Sequence, residues 1–247
     1  MIVTNPATGE AIAEMPDTDP AMVPELAERA AAAQRDWAAV GIDERIAILT
    51  RFRSVLGRDT ESLASLLTSE TGKPITQARA ELVATLARID FFIDHAADAL
   101  APQIVDDDVD SRTGERITRE PLGVVGNISA WNYPWFVGTN VFVPALVAGN
   151  AVLYKPSELA TLTGLEVARC WTEAGVPDGV FQTLVGAGAL GRSLVDAGPH
   201  GMFFTGSYAT GLAIATAYAP HMGHLQLELG GKDPAYVAPD ADVATAA

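Results

Sequence analysis

Apolar and polar positions alternate differently in the two halves of the chain. Through the first hundred residues apolar side chains recur every three or four positions, the period of an amphipathic helix. Pro20–Val40 is Ala-rich with that period, and Gly41 stops it. Asp43–Leu56 places Ile46, Leu49, Phe52 and Leu56 on one face, with Gly57 as its expected end. Thr60–Thr71 is a third helix closed by Gly72. A fourth runs from Ile75 to Leu100, behind Pro74 in a first-turn position where proline is tolerated. Ahead of them, Asn5–Glu10 reads as a turn and Ala11–Met15 as a short strand. Arg112–Glu120 alternates around Thr113-Gly114, the pattern of an exposed hairpin, and Pro121 closes it.

From Leu122 onward, short apolar runs alternate with helical segments. Strands are expected at Gly123–Ser129, Ala151–Tyr154, Val180–Val185, Gly201–Phe204, Leu225–Leu229 and Ala235–Val237. Helices are expected at Pro134–Ala148, Leu159–Ala174, Ala189–Ala197 and Tyr208–Ala219. This order predicts an α/β fold: a doubly wound, Rossmann-like parallel sheet preceded by N-terminal helices and an exposed hairpin. The expected divisions are 1–103, 104–121 and 122–247. Ligands of such sheets lie at the carboxyl ends of the strands, so the residues following each strand carry the candidate chemistry.

Composition narrows the possibilities. The 31 acidic against 16 basic residues give a net charge of −15, which disfavours nucleic acid and anionic membrane surfaces as partners. No apolar run approaches the roughly 20 residues of a spanning helix, and the N-terminus lacks a secretory pattern. The expectation is a cytoplasmic protein. The single cysteine, Cys170, excludes an intramolecular disulfide framework and a multi-cysteine metal site. It falls inside a predicted helix, as a buried packing residue does. The acidic cluster Asp106–Asp110 lacks the ligand spacing of a calcium loop and reads as a solvated turn. Of the basic residues only Lys73, Lys155 and Lys232 are lysine, so each local context matters.

Lys155 and Glu158 follow a strand directly, where a cation and an acid suit a ribose or a phosphate, or else form a surface ion pair. Thr205-Gly206-Ser207 opens a helix whose free amides suit a pyrophosphate, though Ser207 could simply cap it. Gly186-Ala187-Gly188-Ala189-Leu190-Gly191 matches G-x-G-x-x-G after a strand, yet no acid ends the next strand. The dinucleotide fingerprint is therefore half met, and a tight turn is an equal reading. Glu228 alternates with Leu227 and Leu229 in an apolar strand, so burial is expected to raise its pKa toward general-base work. Asn132, between Trp131 and Tyr133, could donate to an oxyanion or shape a turn.

Six strings together resemble the aldehyde dehydrogenase superfamily. They are Asn5-Pro6-Ala7-Thr8-Gly9-Glu10, Glu70-Thr71-Gly72-Lys73-Pro74, Trp131-Asn132-Tyr133-Pro134, Lys155-Pro156-Ser157-Glu158, Phe204-Thr205-Gly206-Ser207 and Glu228-Leu229-Gly230-Gly231-Lys232, in the family's order along the whole chain. The resemblance implies oxidation of an aldehyde to a carboxylic acid with NAD or NADP. It implies an oxyanion role for Asn132, a general-base role for Glu228, and the adenosine ribose at Lys155 and Glu158. Ser157 and Lys155 could also accept a 2′-phosphate. Thr205, Gly206 and Ser207 would sit at the pyrophosphate, Trp131 and Leu229 near the cofactor, and Gly188 to Gly191 near the adenine. It also implies that the stretch 1–103 and the stretch 122–247 are parts of one cofactor-binding domain, with 104–121 as an oligomerisation-type hairpin.

Two departures from the family pattern stand out. Ala130 replaces the proline usual before Trp-Asn. The family's nucleophilic cysteine follows the Glu-Leu-Gly-Gly-Lys segment in a separate catalytic domain, whereas Cys170 precedes Glu228. The expectation is an amino-terminal part of such an enzyme, inactive alone. The alternatives are a stand-alone dinucleotide-binding module and a half-enzyme that docks on a complementary chain or a full-length relative; a homo-oligomer or a complementary chain is the expected partner.

Overall fold

The computed structural model describes residues 1–106 and 114–246. The chain opens with a two-stranded antiparallel sheet, β1 (Ile2–Thr4) against β2 (Ala11–Glu14), joined through the turn at Asn5–Glu10. Four helices follow: α1 (Val23–Ala39), α2 (Ile42–Arg58), α3 (Thr60–Thr71) and α4 (Ile75–Leu100). Gly72 ends α3 in the left-handed conformation at φ 74°, where glycine carries no Cβ penalty. Gly57 does not end α2 as expected. The packing of Val55 and Leu56, both buried, outweighs the roughly 1 kcal/mol that a glycine costs inside a helix.

The arm is a second antiparallel pair, β3 (Gln103–Asp106) with β4 (Glu115–Ile117). The strand opposite Glu115–Ile117 therefore ends at the first residue of the acidic cluster, Asp106, and does not come from within Arg112–Glu120. Residues 107–113, with most of that cluster and Thr113 of the expected turn, lie outside the described residues.

The central sheet contains β5 (Val124–Ile128), β6 (Ala151–Lys155), β7 (Phe181–Thr183), β8 (Gly201–Gly206) and β9 (His224–Leu229), all parallel, in the spatial order β7-β6-β5-β8-β9. Between them run α5 (Pro134–Val147), α6 (Thr161–Ala174), α7 (Gly188–Asp196) and α8 (Tyr208–Tyr218). The first strand lies in the middle and the chain winds outward both ways. That is the order of a doubly wound sheet, with its topological switch between β5 and β8.

Both faces are covered at the centre of the sheet. On one, Val125, Val152 and Tyr154 join the α2, α3, α4, α5 and α6 side chains, including the stacked Phe52 and Trp171 rings. On the other, Val124, Leu153, Met202 and Phe204 pack with α1, α7 and α8. β5 and β6 are buried on both faces, which explains why their apolar residues run consecutively instead of alternating with polar ones.

Past β9 the expected strand Ala235–Val237 is irregular, with Tyr236 and Val237 exposed. A short helix α9 (Val243–Ala246) ends the described chain. Among the described residues no helix is long and apolar enough to cross a membrane.

Candidate functional site

Register decides which side chains meet. Ile128 of β5 pairs with Lys155 of β6 and Phe204 of β8, while Thr205 and Gly206 pair with Glu228 and Leu229 of β9. The strands thus end level, and their following residues open into one cleft of about 760 Å³, within the ordinary range for a small-molecule site. Trp131, Asn132, Lys155, Ser157, Glu158, Gly188, Gly191, Thr205, Gly206, Ser207, Glu228 and Leu229 all line it. The sequence scatters these residues over about a hundred positions; parallel pairing brings all of them to one edge.

The residues differ in how they are held. Lys155 is almost fully buried at the end of β6, with Nζ donating to the Pro156 carbonyl at 2.9 Å and lying 3.8 Å from a Glu158 carboxylate oxygen. Burial pulls its pKa down, and Glu158 opposes this. A surface ion pair does not describe it, because only Glu158 is exposed. Gly191 lies over the Lys155 stem: a Cβ there would stand 3.6 Å from Lys155 Cδ, and at Gly188 it would meet nothing within 4 Å. The start of α7 is therefore a flat, open wall.

Ser207 caps α8, its Oγ accepting from the Thr210 N–H at 3.2 Å. Gly211 lets α8 sit directly on β9, since a Cβ there would stand 2.5 Å from Leu229 Cδ2. Asn132 Oδ1 accepts from the Tyr133 N–H at 3.1 Å, so the amide oxygen is used locally and Nδ2 is left to donate.

Glu228 corrects the expectation of burial. Along β9 the even positions His224, Gln226 and Glu228 are exposed, while Leu225, Leu227 and Leu229 pack inward. The alternation was read correctly, but β9 is an edge strand with one open face. Glu228 there accepts from Gln226 Nε2 at 3.2 Å.

Two features were not read from the sequence. Arg192 of α7 is exposed, lines the cleft and makes no ion pair among the described residues; its place one residue after Gly191 was the available signal. More hidden are Glu70 and Glu81, buried carboxylates that cap α6 and α5 from a distance. Glu70 accepts from the Leu162 and Thr163 N–H groups at 2.6 and 2.9 Å and from the Thr163 hydroxyl at 2.8 Å. Glu81 accepts from the Trp135 N–H at 2.9 Å and the Phe136 N–H at 3.3 Å. Burial pushes both carboxyls up, and their donors, including Lys73 at Glu81, pull them down.

Cys170 sits elsewhere, buried in the α6 face of the core, where burial pushes its thiol up to about 12. Lys232 is exposed in the irregular segment after β9.

The sequence description named "Aldehyde dehydrogenase family" matches residues 1–247. The chain belongs to the aldehyde dehydrogenase family. Among similar solved structures, an aldehyde dehydrogenase from Brucella melitensis biovar abortus 2308 is 32% identical, with a TM-score of 0.92, over 99% of this chain and 51% of its own. A 3,6-anhydro-L-galactose dehydrogenase in complex with NAP is 34% identical, with a TM-score of 0.91, over 100% of this chain and 52% of its own. PnpE in complex with nicotinamide adenine dinucleotide is 32% identical, with a TM-score of 0.88, over 94% of this chain and 48% of its own. The chain therefore spans about half the length of these relatives.

Proposed function

We propose that this chain is the dinucleotide-holding part of an aldehyde dehydrogenase that oxidises an aldehyde to a carboxylic acid with NAD or NADP. The observation that carries the reading is the convergence of the candidate residues on one cleft at the topological switch of the sheet. The cleft fits such a cofactor. Lys155 and Glu158 offer a donor and an acceptor for a ribose diol. Ile214, Val195 and Ala217 give an apolar wall beside the open backbone at Gly188, suited to an adenine face. The amino terminus of α8, with Gly206 and Ser207, suits the diphosphate. Of the relatives, one is in complex with nicotinamide adenine dinucleotide and one with NAP. Exposed Arg192 and Ser157 offer a 2′-phosphate a place, while Glu158 favours a diol.

A nicotinamide dinucleotide held by Lys155, Glu158, Gly206 and Ser207 would supply the hydride acceptor for the oxidation. In this reading Asn132 Nδ2 donates to the substrate oxygen as it becomes anionic, worth about 3–4 kcal/mol for one well-placed donor. Glu228, open to solvent, takes a proton from the water that supplies the second oxygen of the acid. Cys170 is not the nucleophile: it lines no part of the cleft, and its thiol stays protonated at neutral pH. The cysteine that bonds the aldehyde in this family is proposed to lie in protein beyond this chain. The divisions at 1–103, 104–121 and 122–247 belong to the same reading, the first and last as one cofactor domain. The β3–β4 arm exposes Ile104, Val105 and Ile117 and is proposed to pair copies of the subunit. Light scattering that reads a single-copy mass at every concentration would count against that assembly.

Calorimetric titration of the folded chain with NAD and with NADP tests the cofactor reading. Saturable binding of one or both is expected, and Glu158→Gln weakens NAD more than NADP. No heat at millimolar concentrations of either nucleotide would overturn it.

A further inference from the structure

The loop Trp131–Tyr133 carries Asn132 into the cleft, and two residues that do not line the cleft hold it from behind. Glu81, in the second turn of α4, is buried. Its Oε1 takes both amides at the start of α5, those of Trp135 and Phe136. Its Oε2 is bonded to the Lys73 ammonium. Lys73 in turn stands 3.7 Å from the centroid of the Tyr133 ring. The residue after Asn132 is thus gripped by its ring, and the helix that follows by its first amides. Lys73 itself sits between Gly72, in the left-handed conformation that ends α3, and Pro74 at the start of α4.

Burying a carboxylate and an ammonium is costly unless each is paired and hydrogen-bonded. Here the pair, two helix amides and a ring face leave neither ion unmatched. A simple N-cap on α5 itself would have satisfied the same amides, but Tyr133 supplies no side-chain cap. The charge is brought instead from a different helix, 54 residues away, which ties α5 and its preceding loop to the α3–α4 corner.

We infer that Glu81 and Lys73 are positioning residues that fix the Trp131–Tyr133 loop and so the aim of Asn132 into the cleft. This rests on the cofactor reading of the cleft given above. Glu70 provides an internal contrast: it makes the same cap on α6, whose preceding loop carries Ser157 and Glu158 at the opposite, adenosine end.

The test combines nucleotide fragments with amide exchange. Calorimetry compares NAD, which reaches the Asn132 end, with AMP, which does not, in the parent chain, Glu81→Gln and Lys73→Met. Hydrogen exchange is read at the Trp135 and Phe136 amides against Leu162 and Thr163. For Glu81→Gln we expect about a fivefold loss of NAD affinity with AMP unchanged. We also expect faster exchange at Trp135 and Phe136 but not at Leu162 and Thr163. Lys73→Met, which keeps the acceptors of Glu81, should show the same NAD-selective loss and stands in if Glu81→Gln fails to fold. Equal losses for NAD and AMP, or none, would overturn the positioning role, as would exchange that rises uniformly. A parent chain that binds neither nucleotide would instead defeat the cofactor reading, and the exchange pattern would still decide whether the clamp acts locally.

Discussion

Four helices leave the carboxyl end of the central sheet, and their first turns fall into two pairs. On one face, α5 and α6 are plugged: Glu81 and Glu70, both buried, occupy their amides. On the other, α7 has no side-chain cap and α8 only its own Ser207, and both open onto the cleft. Every helix start carries unpaired N–H groups and a partial positive charge, so each is equally suited to an anion on backbone grounds. What separates structural ends from the candidate binding ends is whether the protein supplies the anion itself. In this molecule it does so on the face packed by α2 to α6 and leaves the other face for a ligand.

That contrast can be broken from either side. The largest effect is expected from removing a plug. Glu70→Ala strands three buried donors and should cost about 3 kcal/mol of stability, read as a lower urea midpoint. Equal stability would mean that water replaces the carboxylate and that the plug is incidental. Adding a plug to an open end should act on binding instead. Ser207→Asp keeps a good N-cap, so the fold should be nearly unchanged, but a carboxylate beside the diphosphate position should weaken NAD about tenfold in a calorimetric titration. Undiminished affinity would place the phosphates elsewhere.

The smallest effect concerns pH. Burial holds the Glu70 carboxyl above its ordinary range despite its three donors. Such a group contributes most below the unfolded value of about 4.3. Its contribution declines as pH rises through the raised folded value. Denaturation at pH 5 and pH 8 should therefore show the parent losing ground to Glu70→Gln as pH rises. The half-buried Asp59 runs the other way. Hydrogen bonds from Arg58 and then Arg169 hold its carboxyl low, so its contribution is present above about pH 4 and lost on acidification. A Glu70 difference that grew with pH would show that the donors outweigh burial.

The same contrast explains what the sequence could reveal. The cleft residues were legible because they lie at or directly after strand ends: an apolar run, then Lys155-Pro156-Ser157-Glu158 or Thr205-Gly206-Ser207, is a local pattern. Helix α4 was legible from Ile75 to Leu100 because its period is unbroken. The plugs were not, since Glu70 reaches amides 92 residues away and Glu81 amides 54 away; the string Glu70–Pro74 marked Glu70 without giving it a role, and nothing local marks Glu81. Glu228 failed for the opposite reason. Its alternation fixes which face it takes but not whether that face is covered, and β9 is covered on one side only. The pairing of Gln103–Asp106 with Glu115–Ile117 likewise depends on a partner across an intervening stretch, which a pattern confined to Arg112–Glu120 does not contain.

The central claim is that the cleft at the α7 and α8 end of the sheet holds a dinucleotide, with its diphosphate on the amides that α8 leaves open. A crystal structure of the chain soaked with NAD tests this most directly. The account predicts the diphosphate at Gly206-Ser207, a ribose between Lys155 and Glu158, and adenine against Gly188 and Gly191. Nucleotide bound outside this cleft, or a diphosphate seated at the start of α5 or α6 in place of Glu81 or Glu70, would contradict it.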